Sequence, residues 1–415
     1  MQATQRSQPV HRLVLDNGIT LIVVENQATD AIAARLFFKH AGARWEPRER
    51  AGVAHLLAAV MTKGTERSSA LDIAERVESV GASLGTDAAA DYFLLATKTI
   101  TADFPDLLKL AAEILRTPTF PEAEVALEKR LAQQSIRSQL EQPFNLAFQQ
   151  LREIMYGEHP YGTSILGTQA TVAALSQADL QHYYRTHFHP DRLVISLSGR
   201  IRIEEAVRLV EAVFGDWQPR ATTPVPVASQ YPPPTEKRRP QETQQAIVML
   251  GYLAAAVQSD DYPILKLLNT YLGSGLSSRL FVELREKRGL AYDVSSFYPT
   301  RLDPSQFVAY MGTAPQNTAI AVEGLRAEVE RCRQLSAEEL QIAKNKLLGQ
   351  YALGKQTNAE IAQVYGWYET LGLGIDFDTH FQEKVAQVTL AAVQETTERT
   401  LMSPYISIVG PESAI

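Results

Sequence analysis

The sequence predicts an α+β fold of two duplicated domains, each a mostly antiparallel sheet with helices packed on it. Strand patterns and helix patterns are grouped rather than alternating, which favours this class. The order of elements in the first half recurs in the second. A stretch with seven prolines lies between Trp217 and Gln244 and separates the halves. Because proline lacks an amide donor and stiffens extended chain, we expect domains at 1–217 and 245–415, joined by a linker at 218–244.

The first half opens with a predicted hairpin, because apolar runs on both sides flank an Asn17-Gly18 turn. A second strand and two helices follow, and Gly81 ends the second helix, as a glycine after a helix often does. Later strands complete the half. The predicted strands are 13–15, 20–24, 33–40, 92–97 and 192–198, and the predicted helices are 51–61 and 69–80.

The second half repeats this order, and Gly289 takes the place of Gly81. A Ser-Ser-Ala-Leu sequence begins at Ser68, and Ser-Ser-Arg-Leu begins at Ser277. These echoes predict duplication, although two common α+β domains could share their order by coincidence. The predicted strands are 246–250, 291–297, 306–311 and 406–409. The predicted helices are 261–272, 278–287, 319–332, 337–353 and 359–371.

Composition and charge exclude several functional classes. The 415 residues are 45% hydrophobic and 21% charged, with a net charge of −7. Nucleic-acid binding needs a basic stripe, which is missing. A membrane span needs about eighteen consecutive apolar residues, and no such run occurs. The polar start of the chain, residues 1–10, lacks the apolar region of a secretory signal, so we expect a cytoplasmic protein.

Cys332 is the single cysteine of the chain, so an internal disulfide is excluded. It lies between two arginines in a predicted helix, and we interpret it as an inert helix residue rather than a reactive thiol.

The helix from Gly52 to Thr65 carries His55 but has alanine at 58 and 59. Two histidines four residues apart can point both rings at one ion. One imidazole alone gives no useful metal affinity. From the residues alone, His55 is therefore interpreted as a partly buried, hydrogen-bonded histidine.

The stretch from Gly-Val-Ala-His to Lys-Gly-Thr resembles the region of the inverted zinc motif H-x-x-E-H in the pitrilysin and mitochondrial processing peptidase family. The resemblance covers essentially the whole chain. It implies that His55 matches the first histidine, Ala58 the glutamate base and Ala59 the second histidine. The remaining ligand, a glutamate of a later helix, falls near Ser135. Alanine has no donor atom and serine is not a usual zinc ligand. The resemblance therefore implies a zinc-less, non-catalytic subunit that holds no metal.

A second segment runs from Gly273 to Tyr292 and ends Glu-Leu-Arg-Glu-Lys-Arg-Gly-Leu-Ala-Tyr. Without the family, it would be a charged helix end, whose cations suit a helix C-terminus, followed by a strand. The resemblance implies that Arg285 and Tyr292 reach a substrate bound at zinc. A guanidinium can donate to a peptide carbonyl, and a phenol to a developing oxyanion.

The glycine pair Gly273 and Gly275 is not followed by Gly-Lys-Ser/Thr, so a P-loop is excluded. In the resembling family, mitochondrial non-catalytic subunits have a longer loop at this position that is richer in glycine. The short loop in this chain favours a pair of subunits of the bacterial type. His187 and His189 form an H-x-H pattern without an evident third ligand, and we interpret both as structural.

The resemblance implies pairing with a homologous subunit that carries an intact H-x-x-E-H motif and its zinc. This chain would supply Arg285 and Tyr292 to unfolded peptide substrates in that partner's active site. A structural or binding subunit without a role in proteolysis is the alternative. A homodimeric peptidase would need ligands from elsewhere in the chain, and none is evident. Self-association without the partner stays open.

Overall fold

The computed structural model describes residues 9–219 and 230–415, which form two compact units. Unit 1 contains the described parts of 1–134, 164–226 and 354–378. Unit 2 contains 135–163, the described part of 227–353, and 379–415. Each unit has one sheet covered by helices, so the predicted α+β class is confirmed. The units do not coincide with the contiguous domains 1–217 and 245–415, because each takes a helix from the other half of the chain.

The sheet of unit 1 has six strands in the order β1-β2-β6-β3-β5-β4. The pair β2–β6 is parallel and the other neighbours are antiparallel. The first two strands form the predicted hairpin, and Gly18 at its turn has a φ of 87°. The strands are β1 Val10–Val14, β2 Thr20–Glu25, β3 Ala31–Lys39, β4 Ser83–Ala88, β5 Tyr92–Ile100 and β6 Leu193–Gly199.

The sheet of unit 2 has five strands in the order β7-β11-β8-β10-β9. Its pair β7–β11 is parallel and its other pairs are antiparallel. Apart from the extra β1, this repeats the order and the strand directions of the first sheet, with β7 in the place of β2. The predicted duplication is thus visible in the topology. The strands are β7 Glu236–Pro240, β8 Ala246–Ala254, β9 Asp293–Phe297, β10 Ser305–Thr313 and β11 Tyr405–Gly410.

The predicted linker at 218–244 needs a correction, because β7 lies inside it. All five residues of β7 are exposed, and their sequence is Glu-Lys-Arg-Arg-Pro. An exposed, charged edge strand lacks the apolar pattern from which strands are recognised. Pro240 ends the strand, where a missing amide costs little at a sheet edge. Residues 220–229 of the predicted linker lie outside the described part of the chain.

Helices cover both sheets, and a π-helical segment, Phe281–Lys287, replaces most of the helix predicted at 278–287. In chain order the helices are α1 Val53–Met61, α2 Ala70–Glu78, α3 Phe104–Arg116, α4 Glu122–Glu141, α5 Pro143–Tyr156, α6 Gln169–Ala174, α7 Gln177–His187, α8 Ile203–Phe214, α9 Tyr262–Gly273, α10 Thr318–Glu330, α11 Ala337–Leu353, α12 Asn358–Thr370, α13 Phe377–Gln387 and α14 Leu390–Thr400.

Gly81 and Gly289 both follow the end of a helical segment, as predicted. Their φ angles are 61° and 60°, in the left-handed region that side chains rarely adopt. The Gly81 amide donates to the Glu78 carbonyl at 3.0 Å, and the Gly289 amide donates to the Arg285 carbonyl at 3.1 Å. The same stop in both halves is a local trace of the duplication.

The two halves exchange one helix each. Helix α5, from the first half, packs on β8 and β11 of unit 2, and α12, from the second half, packs on β3 and β6 of unit 1. Glycines allow both close approaches. A Cβ added to Gly251 would lie 2.6 Å from Met155 Sδ, and one added to Gly366 would lie 2.5 Å from Phe37 Cε2. Neither half of the sequence therefore supplies all of the helices that cover its own sheet.

Polar contacts fix α12 on the sheet of unit 1. The Glu369 carboxylate accepts hydrogen bonds from Arg12 Nη2 at 2.8 Å and from Arg12 Nε at 2.9 Å. Lys39 Nζ lies 3.7 Å from the same carboxylate. At the other end of the helix, Asn358 Nδ2 donates to the Ala31 carbonyl at 3.1 Å. The Glu369 side chain is only 8% exposed. Its paired geometry makes it the main polar anchor of the exchanged helix.

Within 9–219 and 230–415, no helix is long and apolar enough to cross a membrane. The expected cytoplasmic location rests on the N-terminal segment. Residues 1–8 of that segment lie outside the described part of the chain.

We predict that Glu369→Gln lowers the free energy of unfolding by about 2–3 kcal/mol at pH 7, since it leaves Arg12 and Lys39 without their counter-charge. Arg12 holds the pKa of Glu369 below its usual value. The stabilisation is therefore full above the unfolded pKa near 4.5 and is lost as the pH falls through the lower folded value. Urea unfolding at pH 7 and pH 3 measures both. The exposed Glu383→Gln serves as the control and should be nearly neutral; equal losses in both variants contradict the assignment.

Candidate functional site

A buried carboxyl holds the start of α1, the helix in which the zinc motif would lie. Glu46 Oε2 accepts from the Gly52 amide at 2.8 Å, and Glu46 Oε1 accepts from the Ala54 amide at 2.7 Å. Burial raises the pKa of Glu46 to about 8, against the opposing effect of these two bonds. Free amides at a helix start need such acceptors. The position of α1 is thus set by local bonds that do not depend on any metal.

His55 lies half-buried on α1, as the sequence predicts. Burial lowers its pKa, while Asp87 on β4 and Glu128 on α4 act in the opposite direction. Glu128 also pairs with Lys63 at 3.2 Å. The Nδ1 atom of His55 has no hydrogen-bond partner among residues 9–219 and 230–415, so the expected hydrogen bond is not observed at that atom.

Ala58 faces the hydrophobic core of unit 1 and is only 2% exposed, whereas Ala59 is half-buried. The Ala58 carbonyl accepts a bond of 2.7 Å from the Thr86 hydroxyl, which ties α1 to β4. A methyl group can neither coordinate an ion nor take a proton. Positions 58 and 59 thus offer only packing.

The residues at the motif positions do not fit a zinc ion. Ser135 is exposed on α4 and offers a neutral hydroxyl, which is not a usual zinc ligand. In the described part of the chain, no group of three or more His, Cys, Asp or Glu side chains is arranged to hold a metal. No chemical step through zinc is therefore derived for this chain.

Arg285 and Tyr292 are both exposed, and Tyr292 reaches 59%. Arg285 lies in the π-helical segment, a local form that often marks functional sites. Its guanidinium carbon sits 5.0 Å from the centre of the Phe281 ring. Tyr292 comes just before β9 rather than within the predicted strand at 291–297, and its amide donates to the Gly312 carbonyl at 2.9 Å. Both polar heads are accessible to a ligand.

The short glycine loop before Arg285 packs closely at its start. A Cβ at Gly273 would lie 2.1 Å from the Ser296 amide nitrogen. Lys346 Nζ donates to the Ser274 carbonyl, and Gln350 Nε2 donates to the Ser274 hydroxyl at 2.9 Å. The close approach at Gly273 and the φ of 75° at Gly275 explain both glycines structurally, without a phosphate ligand.

His187 and His189 are buried in unit 1. His187 stacks on Tyr183 at 4.2 Å between ring centres, and burial lowers its pKa to about 4, with Arg192 adding repulsion. These packing contacts agree with the structural interpretation. Cys332 is fully buried, and burial raises the pKa of its thiol, which agrees with an inert residue.

Sequence reasoning did not place Asp87 and Glu128 beside His55. They come from β4 and α4, at separations of 32 and 73 residues. Along β4 successive side chains point to opposite faces, so Asp87 lies on the exposed face with Gly85, and Thr86, which bonds to α1, lies on the other. The sequence of β4 has no apolar alternation, and nothing in the sequence alone indicates that this strand meets α1.

We predict that Ala58→Glu, which restores the family's base at that position, lowers the free energy of unfolding by at least about 2 kcal/mol at pH 7, because it buries a carboxylate in an apolar core. The loss relative to wild type should shrink at pH 4, since burial raises the folded pKa and the neutral form costs less. Ala59→Glu, one residue along the same helix but half-exposed, is the matched control. Denaturant unfolding at both pH values measures the effect, and equal losses at 58 and 59 contradict the assigned burial.

Two solved structures share this fold. A peptidase M16 inactive domain from Pseudomonas fluorescens superposes with a TM-score of 0.90 at 24% identity, over 97% of this chain and 98% of that one. A protease from Helicobacter pylori also gives 0.90, at 19% identity, over 97% and 99%. At these identities the likeness concerns the fold.

Sequence comparisons agree with this likeness. An uncharacterized zinc protease of Streptomyces coelicolor is 28% identical over 97% of this chain and 90% of its own length. Another from Bacillus subtilis is 28% identical over 85% and 87%. The family model for insulinase, peptidase family M16, matches residues 21–169, and the model for the peptidase M16 inactive domain matches residues 174–347. Together they span most of both halves, and the chain belongs to peptidase family M16.

Proposed function

We propose that this protein is the non-catalytic subunit of a heterodimeric zinc metallopeptidase. In this proposal a homologous partner holds the zinc and the glutamate base in an intact H-x-x-E-H motif. This chain contributes Arg285 and Tyr292 to peptide binding and to stabilisation of the transition state. Substrates are unfolded peptides in extended form.

The observation that carries the proposal is the apolar character of positions 58 and 59. Hydrolysis by the family's chemistry needs two histidines on one helix face and a carboxylate that takes a proton from the metal-bound water. Here Ala58 lies in the core, and Ala59 presents a methyl group. The chemical step must therefore be supplied by another polypeptide.

The exposure of Arg285 and Tyr292 supports a role in trans. A tyrosine ring is usually at least partly buried, whereas Tyr292 is 59% exposed. A guanidinium donates in a fixed planar fork, which suits a peptide carbonyl. A phenol hydroxyl suits the oxyanion that forms on the scissile carbonyl. Both contributions require a metal site on the facing partner.

The edge strand β4 offers a place for an extended peptide. It is the last strand of the sheet of unit 1, and its residues alternate between exposed and half-buried until Ala88. A peptide can add to such an edge through backbone hydrogen bonds. Thr86 on β4 also contacts α1, so a peptide there would pass the region of the degenerate motif.

We predict that the isolated protein contains less than stoichiometric zinc and does not cleave unfolded peptides. The co-expressed complex with its H-x-x-E-H partner should contain one zinc per heterodimer and should cleave them. Plasma emission analysis gives the metal content, and a quenched fluorescent peptide library gives the activity. Metal-dependent cleavage by the pure chain would reject the proposal.

In the reconstituted complex, Tyr292→Phe should lower kcat/KM about 10²-fold, as expected for loss of an oxyanion donor. Arg285→Ala should raise KM and lower kcat, because it removes a fixed donor to the peptide. The matched controls are Arg333→Ala, an exposed arginine, and Tyr271→Phe, whose hydroxyl bonds Glu339 at 2.8 Å. These controls should keep near-normal rates.

The same variants separate the proposal from the alternative of a purely structural subunit. If Arg285→Ala and Tyr292→Phe leave the rate of an intact complex unchanged, the chain acts as a scaffold only. Size-exclusion chromatography with light scattering establishes that each variant still forms the complex, so a loss of assembly is not mistaken for a loss of chemistry.

A further inference from the structure

Three cationic side chains of unit 2, distant in sequence, lie close together away from Arg285 and Tyr292. They are Arg152 on α5, Lys266 on α9 and Arg301 in the loop after β9, and we call them the cation cluster. All three residues are half-buried. Lys266 Nζ donates to the carbonyl of Tyr298, three residues before Arg301. Arg301 lies over the Tyr161 ring, whose centre is 5.7 Å from that of Tyr156, one helical turn from Arg152. In agreement with this proximity, the positive charge of Arg301 lowers the pKa of both Arg152 and Lys266. The chain as a whole carries a net charge of −7, so this is a local concentration of positive charge.

No carboxylate within 9–219 and 230–415 forms an ion pair with the cation cluster, and the attraction of Arg152 to Glu153 is weaker than its repulsion from Arg301. Lys266 Nζ donates to the Tyr298 carbonyl at 2.9 Å, and Arg301 Nη1 donates to the Thr300 carbonyl at 3.4 Å. The Nε atoms of Arg152 and Arg301 are shielded from water and make no hydrogen bond with the described residues. Buried polar groups are almost always paired, and buried charges especially so. Two orphaned guanidinium donors in one place therefore call for a ligand.

The pKa values of two members of the cation cluster are lowered. Burial, followed by repulsion from Arg301, lowers the pKa of Lys266 to about 8 and that of Arg152 to about 10. Arg152 and Lys266 are therefore still mostly protonated at pH 7. A like-charged, partly desolvated cluster is destabilising unless a counter-charge offsets it. A bound anion would supply that counter-charge.

Aromatic rings pack against the three cations without accepting hydrogen bonds from them. The Arg152 guanidinium carbon lies 4.8 Å from the centre of the Phe148 ring, and that of Arg301 lies 5.4 Å from the Tyr161 ring. Lys266 Nζ lies 5.4 Å from the centres of both the Tyr262 and the Tyr298 ring. Stacking covers the face of a guanidinium, whereas its N–H donors lie in the plane. The rings thus pre-organise the arginines without consuming their hydrogen bonds.

We infer that Arg152, Lys266 and Arg301 form a binding site for a phosphate-type oxyanion. A guanidinium group can pair with two oxygens of such an anion at once, and bidentate pairing of this kind is strong. Three positive charges favour a multiply charged tetrahedral anion over a carboxylate, which brings one charge. The site belongs to unit 2 and needs neither zinc nor a catalytic partner, so it stands apart from the proposed peptidase role.

The experiment is a calorimetric titration of the full-length chain with inorganic phosphate, sulfate, acetate and chloride at matched ionic strength. Phosphate and sulfate should bind saturably at one site, and acetate and chloride should bind at least about tenfold more weakly. Equal effects of all four salts at matched ionic strength would overturn the inference, because screening alone would then account for them.

Arg152→Met and Arg301→Gln should each weaken phosphate binding at least about tenfold, whereas the exposed Arg333→Gln should bind as wild type does. Thermal unfolding guards against misfolding. Without phosphate, Arg152→Met should unfold at or above the wild-type temperature, since it removes a charge that lacks a partner. With phosphate, only the wild type and Arg333→Gln should gain stability. Unchanged phosphate binding in both cluster variants would refute the site.

A second readout uses the unmodified protein. Phosphate should protect Lys266 from an amine-acylating reagent, measured by peptide mass spectrometry. Lys109, exposed in unit 1, should react equally with and without phosphate. Protection at Lys266 alone supports the site, and equal labelling at Lys266 with and without phosphate contradicts it.

Discussion

The packing of α1 into the core of unit 1 is the constraint on which the chemistry of the chain depends. Ala58 is one of seven buried residues on this nine-residue helix. Its carbonyl is bound by Thr86, and the start of the helix is bound by the buried Glu46. The helix is therefore held both by core packing and by hydrogen bonds to its backbone. Alanine at positions 58 and 59 is compatible with this packing, since a small apolar side chain is readily buried.

The exchange of α5 and α12 makes the two duplicated halves depend on each other for packing. Each half of the sequence builds a sheet with the same strand order, yet each sheet is covered in part by a helix from the other half. The paired glycines Gly251 and Gly366 allow the approach, and Glu369 anchors one of the helices with a charged pair. Because each unit uses both halves, neither half of the chain has its complete core without the other. Loss of an anchor in one unit is therefore expected to affect residues from both ends of the sequence.

Local signals in the sequence predicted local structure well. The Asn17-Gly18 turn and the glycine stops Gly81 and Gly289 appear where their chemistry requires them. Strand β7 was missed because an exposed, charged edge strand carries no apolar alternation. The helix exchange also could not be predicted from the sequence. An amphipathic pattern indicates that one face of a helix is buried, but it does not indicate which sheet covers that face. At the candidate site, the alanines and the exposed pair could be identified through family resemblance. The neighbours of His55 and the cation cluster could not, because their members are brought together only by the tertiary fold.

Two arginines of unit 2 pack on an aromatic ring in the same way but differ in their exposure to water. Arg285 lies over Phe281 at 5.0 Å, and Arg152 lies over Phe148 at 4.8 Å. In both, the ring covers the guanidinium face and leaves the in-plane donors free. Arg285 is exposed, so water screens its charge, which suits the proposed contact with a neutral peptide carbonyl. The Nε atom of Arg152 is shielded from water and its guanidinium is repelled by Arg301, so an anion would stabilise it more than a neutral group would. Desolvation, rather than residue type, thus distinguishes the arginine proposed to contact a peptide from the arginine proposed to bind an anion.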